Sequence, residues 1–414
     1  MAAVLIVAST EVRAQDAPAE PAPAQGQAIA EADAEIGVPP KKPDKKPKLS
    51  MVEKRAIATT PVGIFGVKGR VFANLELRHR ADQLIVGSDG TVSTVDVDSL
   101  DITLDSARFS LLYQNPAKWL IAEIEVEVSD PDQVELRDAY LLAEGGPFSF
   151  KAGNFKMPTS VIELESAWTL PSSERGFIND LLLNYLDVAN RRPGLQAVYS
   201  GPGGLDPTLI VGMFQGSEVV EHVGDDRDTE LLDEANLDSQ SWVARAQIEL
   251  AKKVDLGVFF EQRVGSPTLL QTQHYPVVGA DAVFDDEFGD FGLRAWLDVH
   301  YGESWYVHSG KPADEGAPWF LSVRAILAFR YGGTSDGTFY VEPFGSFGML
   351  DPDMDVDADA AREFTAGVNV GFWDQVRVTL EGFTNETSRN FPESYFGGPY
   401  APAMGLTLQF GAAF

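Results

Sequence analysis

The residues of this chain that could do chemistry are charged, and they recur at every second position. Glu123, Glu125 and Glu127 alternate with Ile124 and Val126. Basic residues fall on the polar phase of similar alternating runs: Lys68, Arg70, Arg78, Arg108, Arg137, Lys151, Arg245, Arg263, Arg294, Arg324, Arg330 and Arg377. So do the acids Glu76, Glu135, Glu249, Glu261, Asp298, Glu363 and Glu381. Residues two apart on a β-strand share a face, so this spacing makes charged stripes. A guanidinium grips phosphate or carboxylate through paired N–H donors, and a row of weak sites lets an anion enter and leave. The chemistry expected is electrostatic sorting, not bond making.

Other patterns carry less. His79, His222, His274, His300 and His308 have no metal-ligand spacing, and there is no cysteine. GPGGLD at 201–206 reads as a turn between strands, not a phosphate loop opening a helix. DPDMDVDAD at 351–359 starts like a calcium loop, but Val356 replaces the glycine and Arg362 stands where the twelfth-position Glu belongs. No catalytic residue, metal site or cofactor is assigned. The 414 residues hold 32 Lys and Arg against 62 Asp and Glu, a net charge of −30. That disfavours nucleic acid, which needs a basic face. No run reaches the ~18 consecutive apolar residues of a membrane helix, although barrels escape hydropathy because alternate residues face lipid.

Period-two alternation predicts sixteen strands, near 67–79, 101–114, 118–128, 133–144, 147–157, 194–201, 207–215, 240–252, 253–265, 275–286, 289–302, 318–331, 338–348, 360–373, 374–386 and 402–414. In the first, Val71, Ala73, Leu75 and Leu77 oppose Arg70, Asn74, Glu76 and Arg78, with Phe72 the apolar exception. A slip of one residue would put the charges in lipid, so register is strongly specified. Leu297 then faces out and Asp298 in, and an arginine should be tolerated only at 298. Connections alternate between tight (115–117, 145–146, 202–204, 373–375) and long (80–100, 158–193, 216–239, 303–317, 349–359, 387–401), as in outer-membrane barrels. With periplasmic termini, the long ones are external. Their acids either bridge to lipopolysaccharide phosphates through divalent ions or form a solvated surface. The last strand ends on Phe414, like the aromatic-ended strands read by barrel-assembly machinery.

Residues 1–14 read as the remnant of a signal peptide, cleaved before Gln15. Residues 15–60 are Ala- and Pro-rich with the basic knot PPKKPDKKPK, and read as an extended or disordered periplasmic linker. It is either a tether to anionic cell wall or plain solvated chain. Residues 61–414 are the barrel domain.

The stretch RDAYLLAEGGPFSFKAGNFKMP is a hairpin, followed by 36 residues, 159–194, that carry helix-like clusters and end in NRRPG. So long a connection is functional in most regular architectures. The order DAYL, FKAGNFKMP, long insert and NRRPG resembles the phosphate-selective porin O/P family. The resemblance covers about one seventh of the chain. It implies a 16-stranded antiparallel transmembrane β-barrel of the bacterial outer membrane, a homotrimer, with the third loop folded inward. Arg191 and Arg192 match the family's basic run. The loop carries Glu163, Glu165, Glu174, Asp180 and Asp187 against Arg175, with Lys156 before it, which departs from a purely basic constriction.

The expectation is a passive porin for small hydrophilic solutes, with anions such as phosphate foremost. The alternatives are a weakly selective general porin and a structural outer-membrane protein that tethers the envelope. Strand order further predicts an acidic stripe of Glu123, Glu125 and Glu127, without a base of its own, facing Arg294, Arg324 and Arg330 across the pore.

Overall fold

In a computed structural model, the described residues are 51–86, 92–130, 133–173, 175–184, 186, 188–202, 205–216, 240–251, 253–268, 271–303, 318–332, 339–372, 375–388, 391 and 403–414. The signal segment, the linker to residue 50, and most of the connections 216–239, 303–317 and 387–401 lie outside them, with His222 and His308.

Residues 51–60, expected to continue the linker, form a helical turn α1 (Met51–Lys54) and strand β1 (Ala56–Thr60). β1 folds back on β2 (Gly63–Val86), and Val52 is fully buried beside Leu112 and Ile121. Composition hid this, because MVEKRAIATT holds enough β-branched and apolar residues for one short hairpin but follows a Pro- and Lys-rich run.

The next strands are β3 (Val92–Gln114), β4 (Leu120–Asp130), β5 (Gln133–Gly145), β6 (Phe148–Lys156), β7 (Arg191–Ser200), β8 (Thr208–Gln215), β9 (Gln240–Leu250), β10 (Val254–Thr268), β11 (Gln271–Phe288) and β12 (Phe291–Glu303). They are followed by β13 (Trp319–Gly332), β14 (Phe339–Asp351), β15 (Ala361–Phe372), β16 (Val376–Thr387) and β17 (Ala403–Ala413). Each pairs antiparallel with the next, and β17 pairs with β2, so β2–β17 close a sixteen-stranded barrel. Closure removes the exposed edges that an open sheet must protect.

One face of every strand is apolar and exposed, for example Leu77, Leu111, Leu141, Val211, Val258, Leu297, Phe364 and Leu406. The other face is buried and largely polar: Glu123, Arg245, Asp298, Arg324, Asn369 and Gln409. This is the reverse of a water-soluble protein and the pattern of a barrel with lipid outside. Exposed aromatics gather beside the tight turns: Trp119, Phe148, Phe288, Phe291, Tyr331 and Phe339. Phe291 packs on Tyr331 with ring centres 5.0 Å apart, and Phe339 on Phe372 at 5.4 Å. Aromatic girdles mark the membrane–water boundary of such barrels.

Two features differ from simple alternation. The connection expected over 80–100 is largely strand, since β2 and β3 pair out to Val86 and Val92. The β-branched residues of TVSTVDV favour that extension. The alternation also skips. Phe72 pairs with Ser106 and Ala73 with Leu104, leaving Asp105 as the extra residue of a β-bulge. Glu125 pairs with Asp138 and Val126 with Leu136, leaving Arg137 as another. The side-chain amide of Asn154 donates to the Arg137 carbonyl over 2.8 Å, satisfying a group the bulge removes from the ladder.

Candidate functional site

The insert between β6 and β7, residues 157–190, holds two helices, α2 (Val161–Leu164) and α3 (Phe177–Asn184). Ser160 caps α2 by accepting from the Glu163 N–H over 3.1 Å. Wall carboxylates serve the rest of the insert. Glu363 of β15 accepts from the Ile178 N–H at the start of α3 over 3.0 Å, and Glu381 of β16 accepts from the Ser173 N–H over 2.9 Å. Gly176, just before α3, has φ of +91°, and a β-carbon there would collide with the Glu363 carboxylate.

The insert is clamped to the buried face of β10–β17. Ile178, Leu181, Leu182, Leu186 and Val188 pack against Phe259, Val277, Phe320 and Leu350. Val161, Ile162 and Leu170 pack against Trp296 and Ile326. Arginines complete the attachment by donating to groups that the irregular chain leaves unpaired. Arg377 donates to the carbonyls of Trp168 (3.1 Å) and Leu170 (2.6 Å), and Arg294 to that of Thr169 (2.8 Å). Arg324 reaches Ser160 Oγ (2.8 Å), Asp298 (2.7 Å) and Asn179, and Arg263 reaches the Leu186 carbonyl. His300, fully buried, contacts the Thr159 carbonyl through Nε2 over 3.0 Å. It is thus not a solvated histidine. Arg294, Arg324 and Arg377, expected to line an open pore, are instead spent on holding the insert. An arginine at 298 would meet Arg324 and Ser160, so that position is less permissive than alternation implied.

The opposite wall is different. Lys68 pairs with Glu123, Arg70 with Glu125 (3.5 Å), and Arg108 with Glu127 (2.6 Å), while Arg137 also bonds Glu127. Tyr140 donates to Glu123 over 2.6 Å. The three glutamates therefore do form one stripe, but it is neutralised laterally by β2, β3 and β5. A bare acidic stripe facing a bare basic one across the pore does not exist. Arg330 and Arg294 likewise pair with Glu342 at 2.9 and 3.2 Å. Salt bridges between neighbouring strands remove most of the cross-pore field that unpaired stripes would have produced.

The other expected wall bases have partners as well. Arg245 pairs with Asp281 through two contacts of 2.5 and 2.7 Å and is buried. Arg192 is buried against Ser241 Oγ and the Gln215 carbonyl, each at 3.2 Å. Arg78 pairs with Glu76 (2.5 Å), Arg191 with Asp138 (3.3 Å), and Lys151 lies over the Tyr140 ring.

Between insert and charged wall lies a cavity of about 380 Å³. It is lined by Arg108, Arg137, Arg175 and Arg191, by the acids Asp105, Glu127, Glu163 and Asp180, and by the apolar Phe72, Leu170 and Leu183. Both bulge residues, Asp105 and Arg137, are here. The insert's own charges are partly fixed. Burial alone would push the Glu163 carboxyl up, but Arg175 at 3.2 Å and Lys156 hold it at about 2, so it stays ionised. Burial raises the Glu165 carboxyl, whose backbone carbonyl accepts from Arg175 over 2.6 Å. Phe72 explains itself here: its ring packs on Trp168 of the insert with centres 5.8 Å apart. A second, smaller cavity of about 160 Å³ is lined by Arg78, Arg80, Asp180, Glu363 and Glu381.

Alternation could not find the insert's dock. The signal is in the chain all the same: Phe259, Val277, Trp296, Phe320, Ile326 and Leu350 are apolar where the polar phase calls for charge.

No protein-family model matches the sequence, and no curated protein matches it. Solved structures do match in fold. The outer-membrane channel DcaP of Acinetobacter baumannii superposes with a TM-score of 0.59 at 13% identity, covering 87% of this chain and 99% of that one. The anion-selective porin from Comamonas acidovorans gives 0.55 at 12% identity, covering 85% and 100%. Salmonella typhi OmpF in complex with daunomycin gives 0.53 at 11%, covering 85% and 98%. With its lipid-facing apolar belt, its aromatic girdle and its closed ring of sixteen strands, this chain has the fold of the outer-membrane porins and belongs in the bacterial outer membrane.

Proposed function

We propose that the chain is a passive channel for small hydrophilic solutes, with a preference for anions. The insert lies in the lumen and leaves the 380 Å³ cavity as the narrow zone. The observation that carries this reading is the placing of Arg108, Arg137 and Arg191 of the barrel wall and Arg175 of the insert around that cavity. Guanidinium groups on a low-dielectric wall attract phosphate or carboxylate and release it again because each is already half-satisfied by a neighbouring acid. Phosphate remains the first solute to test.

The same cavity favours a second reading, a weakly selective general porin, because its four arginines face four carboxylates. Three further assignments belong to the proposal: assembly as a homotrimer, contact of the outer loops with lipopolysaccharide, and contact of the basic linker with the cell wall.

Purified protein in planar bilayers tests the reading. Open-channel steps, with a reversal potential of the anion-preferring sign in a salt gradient and a conductance reduced by phosphate, are the expected result. A reversal potential near zero means the general porin. Absence of steps means the barrel is an anchor.

A further inference from the structure

The two cavities share one titratable group, the carboxyl of Asp180 on the first turn of α3. Every other acid lining them is engaged. Glu127 pairs with Arg108 and Arg137, and Glu163 with Arg175. Glu363 and Glu381 accept from the N–H groups of Ile178 and Ser173, and Asp105 accepts from the Gln409 amide over 3.4 Å. The Asp180 carboxylate makes no hydrogen bond or ion pair with any described residue. Its side chain is exposed to the water between insert and wall.

We infer that Asp180 is the specificity-determining residue of the channel: a lone carboxylate, at the junction of the two cavities, that opposes anions when charged and admits them when neutral. This rests on the channel reading above. Three observations support it. The arginines of the larger cavity are each paired with an acid, and Glu363, Glu381 and Asp105 are held by hydrogen bonds, while the Asp180 carboxylate is free to act on whatever passes. Asp180 also sits on a helix anchored at both ends of the insert. Ile178 and Leu182 bury its other face, so the carboxyl cannot swing away. Finally, although water reaches it, the walls of both cavities stand close by. Desolvation by those walls raises its carboxyl to about 6, with Glu163 raising it and Arg175 lowering it. Falling pH therefore removes one negative charge from the narrow zone, and anion preference rises.

The charged groups facing Asp180 are Glu163 and Arg175 within the insert, Glu363 and Glu381 from β15 and β16, Arg78 and Arg80 from β2, Asp105 and Arg108 from β3, Glu127 from β4, Arg137 from β5, and Arg191 from β7. Of these, Glu363 serves as the control, since it too meets α3, accepting from the Ile178 N–H.

The test measures reversal potentials of the full-length wild type, Asp180→Asn and Glu363→Gln in planar bilayers with a low-salt potassium chloride gradient, at several pH values. Wild-type preference for chloride should rise roughly threefold to fivefold as pH falls from about 7.5 to about 5, the effect of one charge at contact distance across water. Asp180→Asn should show the low-pH preference throughout, with unchanged heat-modifiable migration as the check that it folds. Glu363→Gln, which can still accept from Ile178, should titrate like wild type. Conducting Asp180→Asn channels that keep the pH dependence, or its loss in Glu363→Gln instead, would overturn the inference. Absence of conductance in all three would overturn the channel reading on which it stands.

Discussion

The arcs β2–β7 and β10–β15 are built from similar alternating strands, and both carry arginines inward, yet they do opposite work. In the first arc the middle of the inward face is charged, with Lys68, Arg70, Arg108, Glu123, Glu125, Glu127 and Arg137, between the apolar Leu112 and Ile121 and the apolar Phe72 and Phe155. In the second the charges are interrupted by Phe259, Val277, Trp296, Phe320, Ile326 and Leu350. The insert packs on the second, where Arg263 and Arg294 become donors to insert carbonyls. The same residue type is thus a partner of wall carboxylates on one side and a rivet for the insert on the other. What separates the two roles is whether apolar neighbours on the same face can bury a chain segment. An arginine beside a dock is desolvated and must be fully bonded, whereas one beside water keeps donors to offer.

The largest effect should come from undoing the dock. Ile178 and Leu182 are each almost fully buried, and burial of such a side chain contributes about 1.5–3 kcal/mol. Ile178→Asp with Leu182→Asp should detach the insert without opening the barrel, whose strand pairing does not depend on it. Single-channel conductance should rise more than about twofold if the insert is the constriction, since two buried carboxylates without partners cannot be tolerated there. Unchanged conductance would mean the narrow zone lies elsewhere.

Next comes a pair of neighbours on β12. Leu297→Arg places a cation against lipid at a cost of ~2–4 kcal/mol near the midplane and should lower the yield of folded barrel. Asp298→Arg should fold but lose the clamp on Ser160 and Arg324, giving unstable, noisy conductance. Equal behaviour of the two would mean the strand faces are assigned wrongly.

A smaller effect separates the arcs directly. Arg108→Gln with Arg137→Gln leaves Glu127 without its two bases, so ion preference should move towards cations. The shift should shrink as salt approaches ~1 M, where the screening length is ~3 Å. Reversal potentials at low and high salt measure it. The least effect is expected from Arg330→Gln. That guanidinium is paired with Glu342 and lies over the Tyr340 ring at 4.1 Å, so selectivity should hardly change. A large change there would erase the distinction between the arcs.

Much of the barrel was legible before any coordinates. All sixteen barrel strands fall where alternation put them, because lipid on one side and water on the other impose a two-residue period that no other environment sustains so long. The local skips were missed, although Leu100, Ile102 and Leu104 fall in one phase of the sequence and Phe109 and Leu111 in the other. That Asp105 is the extra residue, and that the bulge turns it and Arg137 into the same cavity, could not be read off.

The limits of the sequence are physical. A strand's own residues decide which of its faces meets lipid, since the cost of a buried charge is local and large. They also decide that a long, helix-prone connection follows β6. They do not decide what the inward charges do. Charge pairing runs between strands, so Glu123, Glu125 and Glu127 looked unopposed until β2, β3 and β5 were set beside them with Lys68, Arg70, Arg108 and Arg137. Arg294, Arg324 and Arg377 looked like pore lining until the insert, some 100 to 200 residues away in the chain, arrived to use their donors. An ion pair or a buried donor is a property of two partners, and only the tertiary structure brings the second one.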